Sequence, residues 1–126
     1  MCIRDSCTTT PSTTPVLPDD KELLRGKCII AIGSYMPEMR EIPDAVLDLV
    51  DNVYIELPYA CEESGDLSQP LASGKLTKDR IKLMHEYLIS GEKEIKEGQT
   101  TYFKSVGMGL FDVCIAQKLY EVAKEK

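Results

Sequence analysis

Apolar and polar positions follow two alternating patterns along this chain, and their order predicts a layered α/β fold. The run at 28–32 is continuously apolar, which is typical of a buried parallel strand covered on both faces. A second strand is predicted at 100–105, and a long helix with an apolar first half follows it at 108–124. Strands that alternate with helices favour a parallel sheet with helices packed against it.

Three further segments complete the predicted pattern. Residues 52–57 alternate, with Val53 and Ile55 on one face, which predicts a strand near an edge of the sheet. Thr77 is a candidate N-cap for a helix over 78–89, whose apolar face would include Ile81, Met84 and Leu88. The apolar first half of the terminal helix is expected to be buried against another part of the protein.

Small and polar residues stand at three predicted strand ends, at 8–12, 33–35 and 105–107. Glycine at such a turn lets the backbone approach a ligand closely, and ligands of parallel sheets bind outside the carboxyl ends of the strands. The printed sequence contains no Gly-x-Gly-x-x-Gly motif, so the pattern predicts a nucleotide-type sheet without its phosphate loop. The threonine-rich segment at 8–12 also fits an ordinary polar turn.

Composition excludes some classes of function. A net charge of −6 argues against nucleic-acid binding, which usually needs a basic surface. No run approaches the roughly 18 apolar residues of a membrane helix, and no signal peptide is recognisable, so the chain is expected to be cytoplasmic. The cysteines are widely spaced, which predicts neither a disulfide framework nor a metal site, and Cys28 and Cys114 are expected in the core.

The first six residues, 1–6, resemble the in-frame translation of a transposase adapter used in DNA library preparation. On this interpretation the protein sequence proper starts at Cys7 and is the tail of a longer protein. A genuine N-terminus is the alternative.

Two motifs together resemble the ornithine cyclodeaminase/mu-crystallin family. The first runs from Ile30 to Ile42 and contains Gly33-Ser34-Tyr35, Pro37 and Met39-Arg40-Glu41; the second runs from Thr100 through Phe103-Lys104-Ser105-Val106-Gly107 to Tyr120. The Gly65-Asp66-Leu67 element and the threonine-rich segment from Cys7 to Ser12 are similar to the family as well. The resemblance extends over residues 7–126 and corresponds to the last two-fifths or so of a family member.

The resemblance implies a fold and a cofactor. Residues 7–99 would form the second half of a Rossmann-type NAD(P)-binding domain, and residues 100–126 a strand and helix that return toward a substrate and dimerisation domain missing from the chain. Family members use NAD or NADP and form homodimers. Their shared chemistry is hydride transfer between nicotinamide C4 and a carbon bearing nitrogen.

The resemblance also implies roles for particular positions. Residues expected to contact the cofactor are Thr8, Thr10, Ile32, Gly33, Ser34, Ser105 and Gly107. Val106 would border the substrate pocket, and no metal site is implied.

Tyr35 is the candidate catalytic and substrate-binding residue. Ornithine cyclodeaminases of the family place an aspartate at this position, where its carboxylate can accept a proton and hold the substrate amine. Tyrosine, with a pKa near 10, is a poor base in its place. Reduction of a cyclic imine, or of a 2-oxo acid with an amine, is therefore favoured over ornithine cyclodeamination. Packing of Tyr35 over the strand end is an equally good interpretation.

Other conspicuous side chains are predicted to be structural. His85 is expected to be half-buried on the apolar face of its helix, and Arg40 to pair with Glu41 and fix the turn after Pro37. Lys104 should point away from Ser105, because neighbouring strand residues alternate faces. It is predicted to be structural or to flank the cofactor.

Two other functions stay open at this point. Ornithine cyclodeaminase proper is one. A non-catalytic, mu-crystallin-like protein that binds NADPH and a small ligand is the other, and Tyr35 is compatible with it. In each case the 126-residue chain by itself is expected to be inactive and to aggregate through exposed apolar surface.

Overall fold

The computed structural model describes residues 5–90 and 95–124, and its strands form one parallel sheet in the order β1-β2-β5-β3-β4. The strands are β1 (Asp5–Thr8), β2 (Cys28–Ala31), β3 (Val53–Ile55), β4 (Ile81–Leu83) and β5 (Thr101–Lys104). Every pairing between them is parallel. The prediction of an α/β fold with a parallel sheet is confirmed.

Five short helices lie between the strands of the described chain, and a longer helix follows β5. They are α1 (Lys21–Leu24), α2 (Asp44–Leu49), α3 (Ala60–Glu63), α4 (Gly65–Ser73), α5 (Met84–Ser90) and α6 (Gly109–Lys124). Asp20 caps α1, because its carboxylate accepts hydrogen bonds from the N–H groups of Glu22 and Leu23.

The hydrophobic core lies on one face of the sheet. Side chains alternate along each strand, so Ile29, Val53, Ile55 and Tyr102 point to this face and are fully buried. Apolar residues of α1, α2, α3 and α4 cover them, among them Leu24, Val46, Ala60 and Leu67. These helices therefore fix the sheet, whose free carboxyl edge carries the loops discussed below.

The predicted position of the 52–57 strand is partly wrong. Strand β3 lies inside the sheet, between β5 and β4, and its residues are all buried. Tyr54 points away from the core, but the ring of Tyr87 in α5 packs against it at 5.2 Å between centroids. Alternation in the sequence therefore reflects two different covered faces and not a solvated one.

The helix predicted over 78–89 is confirmed only in its second half, because residues 78–83 are not α-helical. A 3₁₀ turn (Lys78–Arg80) precedes β4, and only α5 is helical. Ile81–Leu83 pair with Val53–Ile55, so sheet formation overrides the helical spacing. The Arg80 guanidinium donates to the carbonyls of Leu47, Val50 and Asp51 and anchors the turn, and His85 is exposed rather than half-buried.

The bounds predicted for the terminal helix are confirmed, and its burial against another part of the protein stays a prediction, whereas the expected core position of Cys114 is wrong. In α6, Leu110 is 58%, Phe111 49% and Ile115 63% exposed, and Cys114 is exposed as well. No other element of the described chain packs over these apolar side chains. Cys28 is only half-buried, on the sheet face opposite the core. No helix within residues 5–90 and 95–124 is long and apolar enough to cross a membrane.

Two structural observations concern the predicted segment boundaries, after residue 6 and near residue 100. Residues 1–4 lie outside the described residues, whereas Asp5 and Ser6 form the start of β1 and pair with Cys28 and Ile29. A strand pairs through its backbone, so this pairing does not depend on the side chains at 5 and 6. Strand β5 lies at the centre of the sheet, and a boundary near residue 100 stays a prediction.

Candidate functional site

Three loops meet at the carboxyl edge of the sheet, because β1, β2 and β5 are neighbours in it. The ladders continue past the strand ends: the Ile32 N–H donates to the Thr8 carbonyl at 2.9 Å, and the Ser105 N–H donates to the Ala31 carbonyl at 3.0 Å. The strand ends predicted at 8–12, 33–35 and 105–107 therefore form one continuous rim. We call it the strand-end rim.

The buried carboxylate of Glu41 holds the first two loops together. Its Oε1 accepts hydrogen bonds from the backbone N–H of Thr10 at 2.6 Å and from the Thr10 hydroxyl at 2.9 Å. Its Oε2 accepts from the N–H groups of Gly33 at 2.8 Å and Ser34 at 3.2 Å. Charge-assisted bonds of this kind are stronger than bonds between neutral groups, so Glu41 fixes the spacing of the loops after β1 and β2.

The hydrogen bonds also determine the charge state of Glu41. Burial by itself raises the pKa of this carboxyl, but the hydrogen bonds from the backbone N–H and hydroxyl of Thr10 and from the N–H of Gly33 outweigh it. The pKa of Glu41 therefore lies below its usual range, and the carboxylate is charged at neutral pH.

Replacing Glu41 by glutamine is expected to reduce the free energy of unfolding at pH 7 by about 2–3 kcal/mol, because charged hydrogen bonds are lost. Since the folded-state pKa is lowered, the Glu41 contribution is complete above the unfolded value of about 4.3 and disappears as the pH falls through the folded value. The difference between wild type and Glu41→Gln should therefore shrink in urea unfolding at about pH 3.

Glu62→Gln, on the exposed side of α3, is the matched control. The raised pKa of Asp66 affects the pH dependence in the opposite direction. Because the charge of Glu41 contributes to that shift, the Asp66 contribution is smaller in Glu41→Gln and partly opposes the expected decrease. A difference that stays constant from pH 7 to pH 3 would show that charge on Glu41 does not stabilise the loops.

A second buried carboxylate, Glu56 at the end of β3, holds the third loop. Its Oε1 accepts hydrogen bonds from the Ser105 hydroxyl at 2.7 Å and from the N–H groups of Val106 at 2.7 Å and Gly107 at 3.0 Å. Gly107 has φ = 87°, in the left-handed region that favours glycine, and this turns the chain from β5 into α6. The loop is thereby held close to the sheet edge.

Close packing at Gly33 requires glycine. A Cβ at this position would lie 2.1 Å from the backbone N and 2.3 Å from the carbonyl O of Thr10. Both contacts are with backbone atoms, which cannot rotate away as a side chain would. The loops after β1 and β2 can therefore touch only because residue 33 has no side chain.

A buried ion pair lies beneath the rim. Lys104 Nζ on β5 is 3.4 Å from Asp66 Oδ2 on α4, and neither side chain is exposed. Asp66 Oδ1 accepts hydrogen bonds from the N–H groups of Glu41 at 2.7 Å and Ile42 at 2.9 Å. Burial raises the pKa of Asp66 and lowers that of Lys104, although their mutual attraction opposes both shifts. Lys104 thus points away from the rim, in the direction predicted from strand alternation.

The predicted site residues differ in what they present to solvent. Ser34 is fully buried: its hydroxyl donates to the Met39 carbonyl at 2.8 Å and lies 2.8 Å from the Ser64 hydroxyl, so it supports the turn from below. Thr8 and Ser105 are buried as well. Thr10 is exposed, as are Ile32 at 44% and Tyr35 at 46%, and Val106 is half-buried.

The rim is poorly suited to bind a phosphate group. The backbone N–H groups of Thr10, Gly33 and Ser34 are occupied by Glu41, and those of Val106 and Gly107 by Glu56. Such N–H groups are the usual partners of phosphate, and two buried carboxylates behind them would repel it. What stays accessible is small, hydroxyl-bearing or apolar, which suits a ribose or a flat heteroaromatic ring.

Sequence reasoning missed the role of the buried charges and misjudged one pair. Arg40 pairs with Asp44, and its Nε donates to the Ile42 carbonyl at 3.1 Å, so the predicted Arg40–Glu41 pair is wrong. Adjacent residues of an extended segment point to opposite sides, and Glu41 is the one that points inward. An acidic residue shortly after a strand, within reach of a glycine turn, was the available signal.

Within residues 5–90 and 95–124, no group of three potential metal ligands is clustered.

Comparison with known proteins identifies the family of the chain that carries this site. The model of the Ornithine cyclodeaminase/mu-crystallin family matches residues 5–126, nearly the whole chain. The chain belongs to the ornithine cyclodeaminase/mu-crystallin family. Its resemblance at the two motifs and its Rossmann-type sheet are thereby confirmed.

The chain matches only part of the length of its individual relatives. The chain is 38% identical over 122 residues to a Delta(1)-pyrroline-2-carboxylate reductase of Bacillus cereus, a match that includes 94% of this chain and 37% of the relative. It is similar to a probable ornithine cyclodeaminase of Bordetella pertussis, with 29% identity, a TM-score of 0.80, and 97% of this chain and 40% of that chain covered.

A third comparison supports the fold alone. The Thermococcus litoralis Delta(1)-pyrroline-2-carboxylate reductase, solved in complex with NADH and L-proline, superposes with a TM-score of 0.76 at 23% identity. The match covers 96% of this chain and 37% of that one. The chain therefore spans well under half the length of the relatives that it matches.

Proposed function

We propose that this chain is the second half of the NAD(P)-binding domain of an oxidoreductase that reduces a cyclic imine carboxylate. The observation that carries the proposal is the 38% identity to a Delta(1)-pyrroline-2-carboxylate reductase, together with a strand-end rim at the cofactor edge of the sheet. The chemistry that such a cofactor supplies when bound is hydride transfer at C4 of its nicotinamide ring to or from a carbon bearing nitrogen.

The residues of the rim fit the nicotinamide end of the cofactor. Ile32 offers an exposed apolar side chain against which the ring could pack, and Thr10 offers a hydroxyl oxygen beside it. A Cβ on Gly107 would meet no atom within 4 Å, so the space above this turn is open. Ser34 and Ser105 would act from below, by fixing the backbone that lines this space. The choice between NAD and NADP depends on residues outside the chain.

Tyr35 separates reduction from cyclodeamination in this proposal. Its exposed side chain follows the Gly33–Ser34 backbone that Glu41 anchors, at the position where ornithine cyclodeaminases of the family carry an aspartate. A phenol is too weak a base at neutral pH to replace that carboxylate, but it can donate a hydrogen bond to a substrate. We therefore assign Tyr35, with Val106, to the substrate side of the rim.

A chimera tests the function. Residues 7–126 replace the matching segment of the Bacillus cereus reductase, which supplies the missing parts. We expect the chimera to oxidise NADH or NADPH with Delta(1)-pyrroline-2-carboxylate and to leave ornithine unchanged, and the isolated 126-residue chain to do neither. Ammonia release from ornithine would favour the cyclodeaminase. Cofactor binding without turnover of either compound would favour a mu-crystallin-like binding protein.

We further propose that the full-length protein is a cytoplasmic homodimer. The exposed apolar side chains of α6 support this, because such a surface requires a partner, whether another domain or a second subunit. Sedimentation of the chimera at twice the monomer mass is the expected result, and a monomer would contradict it.

A further inference from the structure

A chain of buried polar contacts connects the centre of the sheet to the loops that carry the rim. It starts at Lys104 Nζ, which contacts Asp66 Oδ2 at 3.4 Å. It continues from Asp66 Oδ1 to the Glu41 N–H at 2.7 Å. It ends at the Glu41 carboxylate, which accepts hydrogen bonds from the N–H groups of Thr10, Gly33 and Ser34. Lys104 lies on β5, Asp66 on α4, and Glu41 in the connection between β2 and α2.

The charge balance makes this arrangement unusual for a mere packing contact. Glu41, Glu56 and Asp66 are all buried, and Lys104 is the buried cation of the described chain. Placing one cation among three carboxylates is costly without compensation, so hydrophobic side chains of similar size would serve a core at least as well. In some proteins, buried ionic groups fix a particular arrangement of the backbone around them.

The direction of the contacts indicates what is fixed. Asp66 holds the backbone of Glu41 and Ile42 with one oxygen and faces Lys104 with the other. This determines where the Glu41 side chain starts, and the Glu41 carboxylate in turn determines the distance between the loops after β1 and β2. Ser105, the next residue after Lys104 on β5, donates its hydroxyl to Glu56 and so begins the third loop.

We propose that Lys104 and Asp66 are positioning residues that set the geometry of the strand-end rim through Glu41. The proposal rests on the proposed function, in which the rim receives the nicotinamide end of a cofactor. The positioning itself is a property of the chain without ligand. Neither side chain contacts the rim. The side chain of Asp66 reaches the rim through Glu41. A second route runs from the Asp66 backbone N–H through Ser64 to Ser34, and the substitutions leave it in place.

Amide hydrogen exchange of the full 126-residue chain in dilute solution tests the proposal, and it needs neither cofactor nor substrate. The probes are the N–H groups of Thr10, Gly33 and Ser34, with β3 as the reference for global opening. In Lys104→Met/Asp66→Asn, whose side chains keep approximately the same shape without charge, we expect exchange at the three loop amides to rise about tenfold or more relative to β3.

Lys75→Met is the matched control. Lys75 forms a half-exposed ion pair with Asp48 at 2.6 Å and is not a member of the contact chain from Lys104 to Glu41. It should leave the loop-to-β3 ratio unchanged. A double variant with unchanged loop protection would overturn the proposal. So would an increase shared equally by loops and β3, or a double variant that does not fold, because the pair would then serve the core as a whole. Failure of the chimera assay would leave this result standing, so the two proposals fail separately.

Discussion

Gly33→Ala is expected to destabilise the protein by about 3 kcal/mol, the upper end for overpacking a rigid site. The new Cβ would lie 2.1 Å from the Thr10 backbone N and 2.6 Å from Glu41 Oε1, so either the loops separate or the Glu41 hydrogen bonds break. In the chimera the same substitution should weaken NADH binding at least tenfold, since the rim would lose its spacing. Urea unfolding and fluorescence titration with NADH measure the two effects.

Gly109→Ala is the matched control for this experiment. A Cβ at Gly109 would meet no atom within 4 Å, and the residue begins α6, where alanine has the higher helix propensity. It should leave stability unchanged or raise it slightly. If Gly33→Ala behaves as Gly109→Ala does, the loops after β1 and β2 do not approach each other as described.

Lys104→Met is expected to reduce the free energy of unfolding by about 3–5 kcal/mol at pH 7, because it leaves the Asp66 carboxylate buried without its cation. Adding Asp66→Asn should restore a large part of this loss, since the uncompensated charge is then removed. Lys75→Met should have a much smaller effect on stability, because its ion pair is partly solvated. Urea unfolding of the four proteins provides the comparison.

The recovery in the double variant is the informative result. A double variant as unstable as Lys104→Met would show that the methylene chain of Lys104, rather than its charge, is what the site requires. Loss of stability by less than about 1 kcal/mol in Lys104→Met would show that the pair is not buried as described.

The sheet could be predicted from the sequence where a single local signal was sufficient. The apolar run of β2 and the glycine turn after it identify a buried strand and its end, and β5 followed by Gly107 repeats the pattern. Because parallel strands share a carboxyl edge, the meeting of the loops also followed from the sequence. The sequence did not reveal β4, because Ile81, Met84 and Leu88 satisfy helical spacing while the deciding contact, with β3, lies far away in the chain.

The hydrogen bonds by which Glu41 and Glu56 hold the loops could not be predicted, for a related reason. Glu41 was assigned to its neighbour Arg40, whereas its actual partner Thr10 is 31 positions away. Glu56 likewise bonds to residues 49–51 positions further on. Whether a carboxylate faces solvent or the interior depends on which loops are folded around it, and a single sequence does not contain that information. The apolar face of α6 is the converse case, in which the sequence carries a signal for burial but no part of the described chain covers it.

The most direct test of the proposed function follows the hydride itself. The chimera is incubated with Delta(1)-pyrroline-2-carboxylate and NADH or NADPH carrying two deuterium atoms at nicotinamide C4, so that either face of the ring delivers the label, and the product is examined by mass spectrometry and NMR. We predict proline with one deuterium on the carbon that bears both the nitrogen and the carboxylate, with the nitrogen taking its proton from water. A folded chimera that binds the cofactor but yields no proline, or proline without deuterium, would contradict the proposed function.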